Sequence, residues 1–408
     1  MSQSPSPGGP SGPGGAPAPD TDVRVARASR ALLAGNLAIG CGVMVVPGAL
    51  NDLVASLQVT VAVAGQLVSV GALAVALGAP LLAGLLGRFD RRRLLTLSLL
   101  WFAAGHVLAA LMPNLAALLP VRALCILAAA VFTPQAAATI NVLAPPGQQG
   151  RAITFIFLGW SLASVLGLPL GSFIADSLGW RAAFCAVALL SLVAAAWVWR
   201  TVPDGVVPPV LTLRTWRGVL THPALMGLVA VTVLSASGQF TLFAYLAPYY
   251  RQVLGASPGA VSLLFLAFGA FGLLGNVLVS RWIDRLGAAH CVTAALALMA
   301  LSMALWPLGS TVLAMALVFT PWALGCFSSN SAQQARLVRS APSSAPALLA
   351  LNSSAMYLGQ AIGAASGGVA IAGSGFGSLP QTALWWMLLA LGLSAWLGWH
   401  MKGRAAHG

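Results

Sequence analysis

Long runs of apolar residues, separated only by short polar segments, most limit what this chain can fold into. Hydrophobic residues make up 59% of its 408 residues, whereas Asp, Glu, Lys and Arg together make up 7%. Soluble domains carry about 25% charged residues, and a chain this apolar collapses instead of staying disordered. Because a helix needs about 20 apolar residues to cross a bilayer, the sequence predicts a polytopic membrane protein and excludes a water-soluble enzyme.

Twelve apolar runs have the length of a membrane span. The runs are continuous and do not alternate, which favours helices over the strands of a membrane barrel. We therefore predict an all-α membrane protein with twelve transmembrane helices in two six-helix bundles. The predicted spans are 29–50, 60–86, 94–112, 116–142, 153–175, 182–200, 223–247, 259–281, 290–309, 311–333, 346–373 and 382–401.

The basic residues predict the orientation of these spans. With a cytoplasmic N-terminus, 17 of the 20 Lys and Arg residues fall in cytoplasmic segments, as the positive-inside rule requires. The exceptions are Arg122, Arg181 and Arg251. We therefore expect both termini in the cytoplasm and the protein in the inner membrane of the cell. The same rule accounts for the net charge of +13, so no nucleic acid partner is expected.

The composition also divides the chain into segments. A start rich in Pro, Gly and Ser predicts a disordered cytoplasmic tail, and a basic, Pro-rich segment predicts a cytoplasmic linker between the bundles. The predicted segments are the tail 1–27, the first bundle 28–200, the linker 201–222, the second bundle 223–401 and the tail 402–408.

Two similar basic hairpins relate the bundles to each other. The ends of the second and eighth spans align at an offset of 197 residues, which places Gly78 on Gly275 and Arg88 on Arg285. A repeat of six spans is typical of transporters built as paired bundles around a central path.

These hairpins resemble the loop G-x-x-x-D-R-x-G-R-R of the major facilitator superfamily. The second copy, SRWIDRLG from Ser280, matches at Asp284, Arg285 and Gly287. The first copy has Gly87 where the pattern has aspartate and Asp90 where it has glycine. The resemblance implies a latch that holds the bundles in the outward-open state, and basic loops that only set topology are the alternative. The implied latch residues are Arg88, Asp90, Arg91, Arg92, Asp284, Arg285 and Gly287.

The fifth span carries a second resemblance. Its segment GWSLASVLGLPLG is similar to the glycine–proline motif of the exporters of this superfamily, and GWRAAF follows it from Gly179. Small residues also allow ordinary close packing, which is the alternative, and Pro169 is predicted to bend the span. The residues that carry the motif are Gly159, Gly167, Pro169 and Gly171.

Further matches indicate one group of the superfamily. Segments beginning at Ser237 (SGQFTLFAYLAP) and Leu351 (LNSSAMYLGQAIG) resemble the drug:proton antiporter group, which includes arabinose-efflux and chloramphenicol-resistance permeases. The resemblance covers residues 28–401. It implies a secondary exporter of small amphipathic molecules, such as drugs, sugars or nucleoside-like compounds, that works by alternating access and proton antiport. An uncoupled facilitator or an importer of the same fold is the alternative.

Polar and aromatic side chains inside the spans are candidates for a substrate cavity. Polar groups are costly in a bilayer and usually face a cavity or a neighbouring helix. An apolar cavity with a few polar groups suits an amphipathic molecule, and helix packing is the alternative at each position. The candidates are Asn36, Gln66, Gln135, Trp160, Ser161, Gln239, Phe240, Phe243, Tyr245, Asn330, Asn352 and Tyr357.

Three residues are candidates for a proton or charge path. Arg122 corresponds to the arginine that the family has near the proton path in its fourth span, unless it extends to the membrane interface. His106 is the one imidazole in the middle of a predicted span and can titrate near neutral pH, although a packing role is the alternative. Asp52 ends the first span. The chain has no Glu, and no Asp lies at the middle of a predicted span, so proton coupling has no evident carboxylate.

Other functional classes lack their motifs. The spans contain no paired carboxylates and no nucleophile with a base, and the chain has no GxxxxGK[ST] loop. The five cysteines are scattered without metal-ligand spacing. We therefore expect no enzyme activity, cofactor or metal. The expected partners are a small-molecule substrate, the lipid bilayer and protons, and the protein is expected to be a monomer.

Overall fold

The computed structural model describes residues 19–86, 88–145, 148–207 and 213–405. Within these ranges all regular structure is helical, and twelve helical segments are long and apolar enough to cross a membrane. The predicted all-α fold with twelve spans is therefore confirmed. Most of the predicted N-terminal tail and the last residues of the predicted C-terminal tail lie outside the described ranges.

The first six spans are built from nine helical segments of the described residues. Span 1 is Pro19–Leu57, span 2 is Val61–Ala64 with Gln66–Leu86, span 3 is Arg91–Ala110 and span 4 is Leu115–Leu143. Span 5 is Gln149–Leu162, a π-helical turn Ala163–Gly167 and Leu168–Leu178, and span 6 is Trp180–Thr201.

The second six spans follow a short helix, Leu213–Leu220, in the predicted linker. Span 7 is Pro223–Phe243 with Leu246–Gln252, span 8 is Pro258–Leu286 and span 9 is Ala288–Leu305. Span 10 is Val312–Ser340, span 11 is Ala345–Ser374 and span 12 is Leu379–Ala405. Short 3₁₀ turns lie at Trp306–Leu308, Pro342–Ser344 and Phe376–Ser378.

The ends of the spans lie at two faces of the protein. We call the face with the start of span 1 and the end of span 12 the terminal face, and the other the opposite face. Span 1 is longer than the predicted 29–50. No Gly or Pro lies in 20–28 to end the helix, and at its other end the helix continues until Gln58 turns the chain with φ 52°.

Three spans contain breaks that the sequence explains only in part. The π-helical turn of span 5 comes directly before Pro169, which has no backbone N–H to continue the α-helical pattern. Span 2 is broken at Gly65, and span 7 is broken at Ala244 and Tyr245. Span 5 therefore changes helix type next to Pro169, and the predicted bend of the span stays a prediction.

The two halves have the same internal packing. In the first half, span 1 packs against spans 5 and 6, span 4 against spans 2 and 3, and span 3 against span 6. In the second half, span 7 packs against spans 11 and 12, span 10 against spans 8 and 9, and span 9 against span 12. Each contact recurs six spans later, so the repeat visible in the hairpins extends to the whole fold.

Two pairs of spans make most of the contacts between the halves. Span 2 packs against span 11, and the second part of span 5 packs against span 8. At the latter contact the backbone of Gly269 lies against Ser164 and Val165 of the π-helical turn. Spans 2, 5, 8 and 11 therefore connect the halves.

Candidate functional site

A cavity lies between the two halves in the middle part of the spans. Its volume is about 20 Å³, and both halves contribute to its wall. The wall is mainly apolar, with one charged and two polar side chains. It is lined by Val43, Leu67, Val68, Gly71, Ala72, Arg122 and Ile126 from the first half, and by Phe240, Tyr357 and Gln360 from the second.

Tyr245 separates this cavity from the opposite face. Its side chain is 1% exposed, and its hydroxyl donates a hydrogen bond of 2.6 Å to the carbonyl of Ala364. The ring lies directly on Gly65 of span 2 and Gly367 of span 11, where a Cβ atom would overlap it. Three spans from both halves therefore close the path on this side, and the close approach requires glycine.

A buried arginine stands at the wall of the cavity. Arg122 is 3% exposed, and its Nη2 donates to the carbonyl of Gly42 at 2.7 Å. Its Nη1 lies 3.2 Å from Nε2 of His106. The guanidinium of span 4 thereby joins spans 1 and 3 inside the first half, and it does not extend to the membrane interface.

The surroundings of His106 indicate its protonation state. A guanidinium has only donors, so Nε2 of His106 accepts from Arg122 and the ring proton is on Nδ1. Nδ1 lies 2.9 Å from the carbonyl of Phe102, which accepts that proton, and 3.2 Å from Sγ of Cys125. His106 is therefore neutral here. In the described residues, no group of His, Cys, Asp or Glu is placed to hold a metal ion.

A second cavity lies inside the second half, nearer the terminal face. Its volume is about 10 Å³, and Gln239 and Asn330 are among its lining residues. Asn352 stands beside it, accepting a hydrogen bond from Thr232 at 2.6 Å and donating to Asn330 at 3.4 Å. Oε1 of Gln333, another lining residue, is buried without a hydrogen-bond partner. A chain of polar groups therefore crosses spans 7, 10 and 11.

Asn36 ties helices together instead of lining either cavity. Its side-chain amide donates to the carbonyl of Ile156 at 3.0 Å and accepts from Thr133 at 3.0 Å. These bonds join spans 1, 4 and 5, which is the packing role that was the alternative for the polar candidates.

The remaining cavity candidates also lie outside the two cavities. Gln66 is exposed at the start of the second helix of span 2, while Gln135 and Ser161 are buried in the first half. Trp160 lies against Gly40 of span 1. The ring of Phe243 lies 5.8 Å from that of Phe268, on the side of span 7 that faces span 8.

Asp52 holds the start of span 6. Its carboxylate accepts a 2.6 Å hydrogen bond from the backbone N–H of Trp180, directly after Gly179, which has φ 88°. The guanidinium of Arg181 stacks 4.4 Å above the Trp180 ring and donates to the carbonyl of Met112. The segment beginning at Gly179 is therefore a joint between spans 1, 3 and 6 at the opposite face.

The residues of the span-five motif differ in their surroundings. Gly159 lies on the backbone of span 1 at Leu33, and Gly167 lies on the side chain of Cys41, so a Cβ atom would overlap in both places. Pro169 is buried, whereas Gly171 has open space around it. Only part of the motif is therefore needed for the close approach of spans 1 and 5.

The first hairpin is bonded to the start of span 3 and to the start of the linker. Asp90 caps span 3 by accepting from the N–H of Arg93 at 3.0 Å, and its second oxygen accepts from the N–H of Gly205 at 2.7 Å. Nη1 of Arg91 donates to the carbonyls of Leu86 and Phe89. Arg92 forms a 3.0 Å ion pair with Asp204, and Arg88 is exposed.

The second hairpin is bonded to the end of span 10. Asp284 forms a 2.6 Å ion pair with Arg339 at the end of span 10, and the guanidinium of Arg285 stacks over Trp282 at 5.9 Å. Gly287 ends span 8 with φ 82°. The pair Asp284–Arg339 therefore joins two segments of the second half, whereas Arg92–Asp204 joins the first half to the linker.

Comparison with known protein families identifies the family of this chain. Residues 32–364 and 228–405 match the Major Facilitator Superfamily. The chain belongs to the Major Facilitator Superfamily. This confirms the resemblance in the hairpins, and because the superfamily consists of transporters, the protein is a membrane transporter and not an enzyme.

Named relatives within the superfamily include exporters. The chain is 30% identical to the inner membrane transport protein YdhP of Escherichia coli, over 86% of this chain and 90% of the relative. It is 29% identical to a probable sugar efflux transporter of Helicobacter pylori, over 83% and 88%. It is 34% identical to a chloramphenicol resistance protein of Streptomyces lividans, over 61% and 64%.

A solved structure has the same fold. The human organic anion transporter MFSD10 superposes with a TM-score of 0.67 at 19% identity, covering 92% of this chain and all of that one. The Major Facilitator Superfamily fold inferred from the helices is thereby also found by comparison of coordinates.

Several residues of the cavity and of its seal at Tyr245 were not predicted from the sequence. The apolar liners Val43, Leu67 and Val68 carry no motif, because an apolar residue in a span looks the same whether it faces lipid, a helix or a cavity. The role of Gly65 beneath Tyr245 was also missed. Its only signal is a glycine a few residues after the start of a span, where it breaks the helix.

Proposed function

We propose that this transporter is a secondary exporter that moves small amphipathic molecules by alternating access. The observation that carries the proposal is the cavity between the halves, which both halves line and which Tyr245 separates from the opposite face. A site shared by two repeated bundles changes its exposure when one bundle rocks against the other. Because a single chain supplies both walls, we expect the monomer to be the working unit.

The direction of loading follows from the orientation of the chain. We infer that the terminal face is cytoplasmic and lies inside the inner membrane of the cell, because most basic residues lie toward it. A cavity sealed by Tyr245 and Gly65 on the opposite face then belongs to a state that substrate enters from the cytoplasm. This is the loading state of an exporter.

The lining of the cavity supports an amphipathic substrate. Phe240 and Tyr357 offer aromatic surfaces, and Gln360 and Arg122 offer hydrogen bonds. The names of the relatives, a sugar efflux transporter and a chloramphenicol resistance protein, support drugs, sugars or nucleoside-like compounds as the first candidates. The polar groups around Gln239, Asn330 and Asn352 extend this surface toward the terminal face.

Proton antiport is the coupling we propose, with His106 and Arg122 as the exchange site. Proton uptake on His106 would break its bond from Arg122 and place two cations together, which couples protonation to a rearrangement of spans 1, 3 and 4. Cys125 also faces the ring. An uncoupled facilitator is the second candidate, because every Asp lies in a tail, in a loop or near the end of a span and the chain has no Glu.

The hairpins complete the proposed cycle. We propose that they act as a latch that joins the halves in the outward-open state. The released form of this latch is supported by the pair Asp284–Arg339, which lies within the second half, and by the pair Arg92–Asp204, which joins the first half to the linker.

Transport across vesicles with an imposed proton gradient tests the proposal. Purified protein in proteoliposomes would be assayed for uptake and efflux of a panel of sugars, nucleosides and antibiotics. We expect gradient-dependent movement of at least one amphipathic compound, and loss of the gradient dependence in His106→Gln. Transport that ignores the gradient supports the uncoupled facilitator, and no movement of any compound contradicts the exporter.

A further inference from the structure

The charge of Arg122 is not balanced by any carboxylate of the described residues. The two groups that hold its Nη atoms are the Gly42 carbonyl and the neutral ring of His106. Of its five N–H donors, these two bonds use only two, and Nε is buried without an acceptor. A buried cation without an ionic partner is costly, so the site is incomplete as the chain alone provides it.

The sequence has no acidic residue in the middle of a span that could supply a negative charge beside Arg122. It contains no Glu, and its Asp residues lie in the tail, in loops or near the ends of spans. Asp52, the acid nearest to this part of span 1, is occupied by the N–H of Trp180. Arg122 is one of the residues that line the cavity between the halves, where its Cγ lies near Gly71, and its guanidinium carbon lies 5.9 Å from the centre of the Phe184 ring.

We propose that the transported molecule is an organic anion whose carboxylate pairs with Arg122. This inference rests on the proposed export function and names the substrate class of the same site. A guanidinium binds a carboxylate through two parallel N–H···O bonds, a geometry that a neutral hydroxyl or amide does not match. The apolar part of the molecule would lie against Phe240 and Tyr357 of the second half.

An anionic substrate also explains the missing acids of the spans. The membrane potential is negative inside, so an anion gains free energy when it moves from the cytoplasm to the outside. The potential adds to the driving force of the proposed proton antiport, and it would be sufficient alone for the uncoupled facilitator, the second candidate above, which needs no carboxylate in the middle of the membrane. The substrate itself supplies the negative charge that the spans lack.

A pair of fluorescent probes that differ only in charge tests the inference. Dansylglycine carries a carboxylate, and dansylglycinamide replaces it by a neutral amide of nearly the same shape. Dansyl fluorescence increases in an apolar site, so binding can be titrated with purified protein in nanodiscs at pH 7.5. We expect dansylglycine to bind roughly 10- to 100-fold more tightly, as a charge-assisted pair implies.

Substitutions of Arg122 distinguish an effect of its charge on binding from an effect on folding. Arg122→Gln should remove the preference for dansylglycine, whereas Arg122→Lys should retain part of it. Arg336→Gln is the matched control: Arg336 is 5% exposed and is held by Ser394 in the second half, away from the cavity lining, so its loss should leave the preference unchanged. If Arg122→Gln does not fold, the comparison of Arg122→Lys with the unchanged protein carries the test.

The outcomes distinguish this inference from the function on which it rests. Equal binding of both probes, or a preference that survives Arg122→Gln, overturns the anionic substrate but leaves an exporter of neutral amphipathic molecules standing. Binding of neither probe overturns the anionic class, and transport of the compound panel then decides the exporter separately. In proteoliposomes, an inside-negative potential should accelerate release of dansylglycine and leave dansylglycinamide unaffected, and the absence of this difference contradicts the inference.

Discussion

Nη1 of Arg122 lies 3.2 Å from Nε2 of His106, and both side chains are buried in the first half. The contact assigns the ring a single tautomer, with Nδ1 as donor toward Phe102. The imidazole nitrogen Nε2 thereby accepts a hydrogen bond from the buried guanidinium of Arg122. His106 therefore positions Arg122 at the cavity wall, in addition to any role as a proton carrier.

This relationship predicts different effects for two substitutions of His106. His106→Leu leaves a buried guanidinium donor without an acceptor, so we expect it to destabilise the protein by about 1.5–3 kcal/mol. His106→Gln retains an acceptor in the amide oxygen and should cost less. Thermal unfolding in detergent, followed by tryptophan fluorescence, measures both. Equal losses for the two variants would mean that the ring only fills space.

The contact between Gly65 and Tyr245 predicts the behaviour of the seal. A methyl group at position 65 would overlap the tyrosine ring, so Gly65→Ala should favour conformations that are open at the opposite face. Maleimide labelling of Ala62→Cys in a Cys185→Ser background reports this opening, and we expect labelling to be several-fold faster. Gly392→Ala is the control because no atom lies within 4 Å of that Cβ position. Unchanged labelling in Gly65→Ala would show that the seal does not depend on this contact.

The glycines of span 5 should separate into two groups. Gly159→Ala places a methyl group on the backbone of span 1, and overpacking of this kind typically costs about 1–3 kcal/mol. Gly171→Ala meets open space and should be neutral or stabilising by up to about 1 kcal/mol, because alanine favours helix. Size-exclusion profiles and unfolding midpoints compare the two variants. A loss of transport in Gly171→Ala without a loss of stability would instead give this glycine a role in motion.

The sequence predicted the spans better than their interruptions. Apolar length and turn residues are local signals, so the count of twelve and most span boundaries could be read directly. The break of span 7 at Ala244 and Tyr245 has no local signal, because Tyr245 occupies a space created by Gly65 and Gly367 from distant spans. The length of span 1 was underestimated because its polar start was read as tail.

The site could be predicted only at positions with a residue type that is rare in membrane spans. Arg122 and His106 were evident because charged and titratable groups are scarce in the spans, and the structure brings them together. Asn36 and Phe240 could not be told apart in the same way, since the sequence gives no rotation of a helix about its axis. One of them ties three spans together and the other lines the cavity.

The ion pair of Asp284 with Arg339 allows the latch to be distinguished from a loop that only sets topology. Both side chains are exposed, to 83% and 52%, so the pair should contribute at most about 1 kcal/mol to stability. If the latch operates, Asp284 pairs across the halves in the outward-open state, whereas Arg339 serves only the released state. We therefore expect Asp284→Asn to slow transport several-fold, Arg339→Gln to slow it less, and neither to change the unfolding midpoint appreciably. Counterflow in proteoliposomes measures the rates, and equal small effects of the two substitutions would leave the hairpin with a topological role alone.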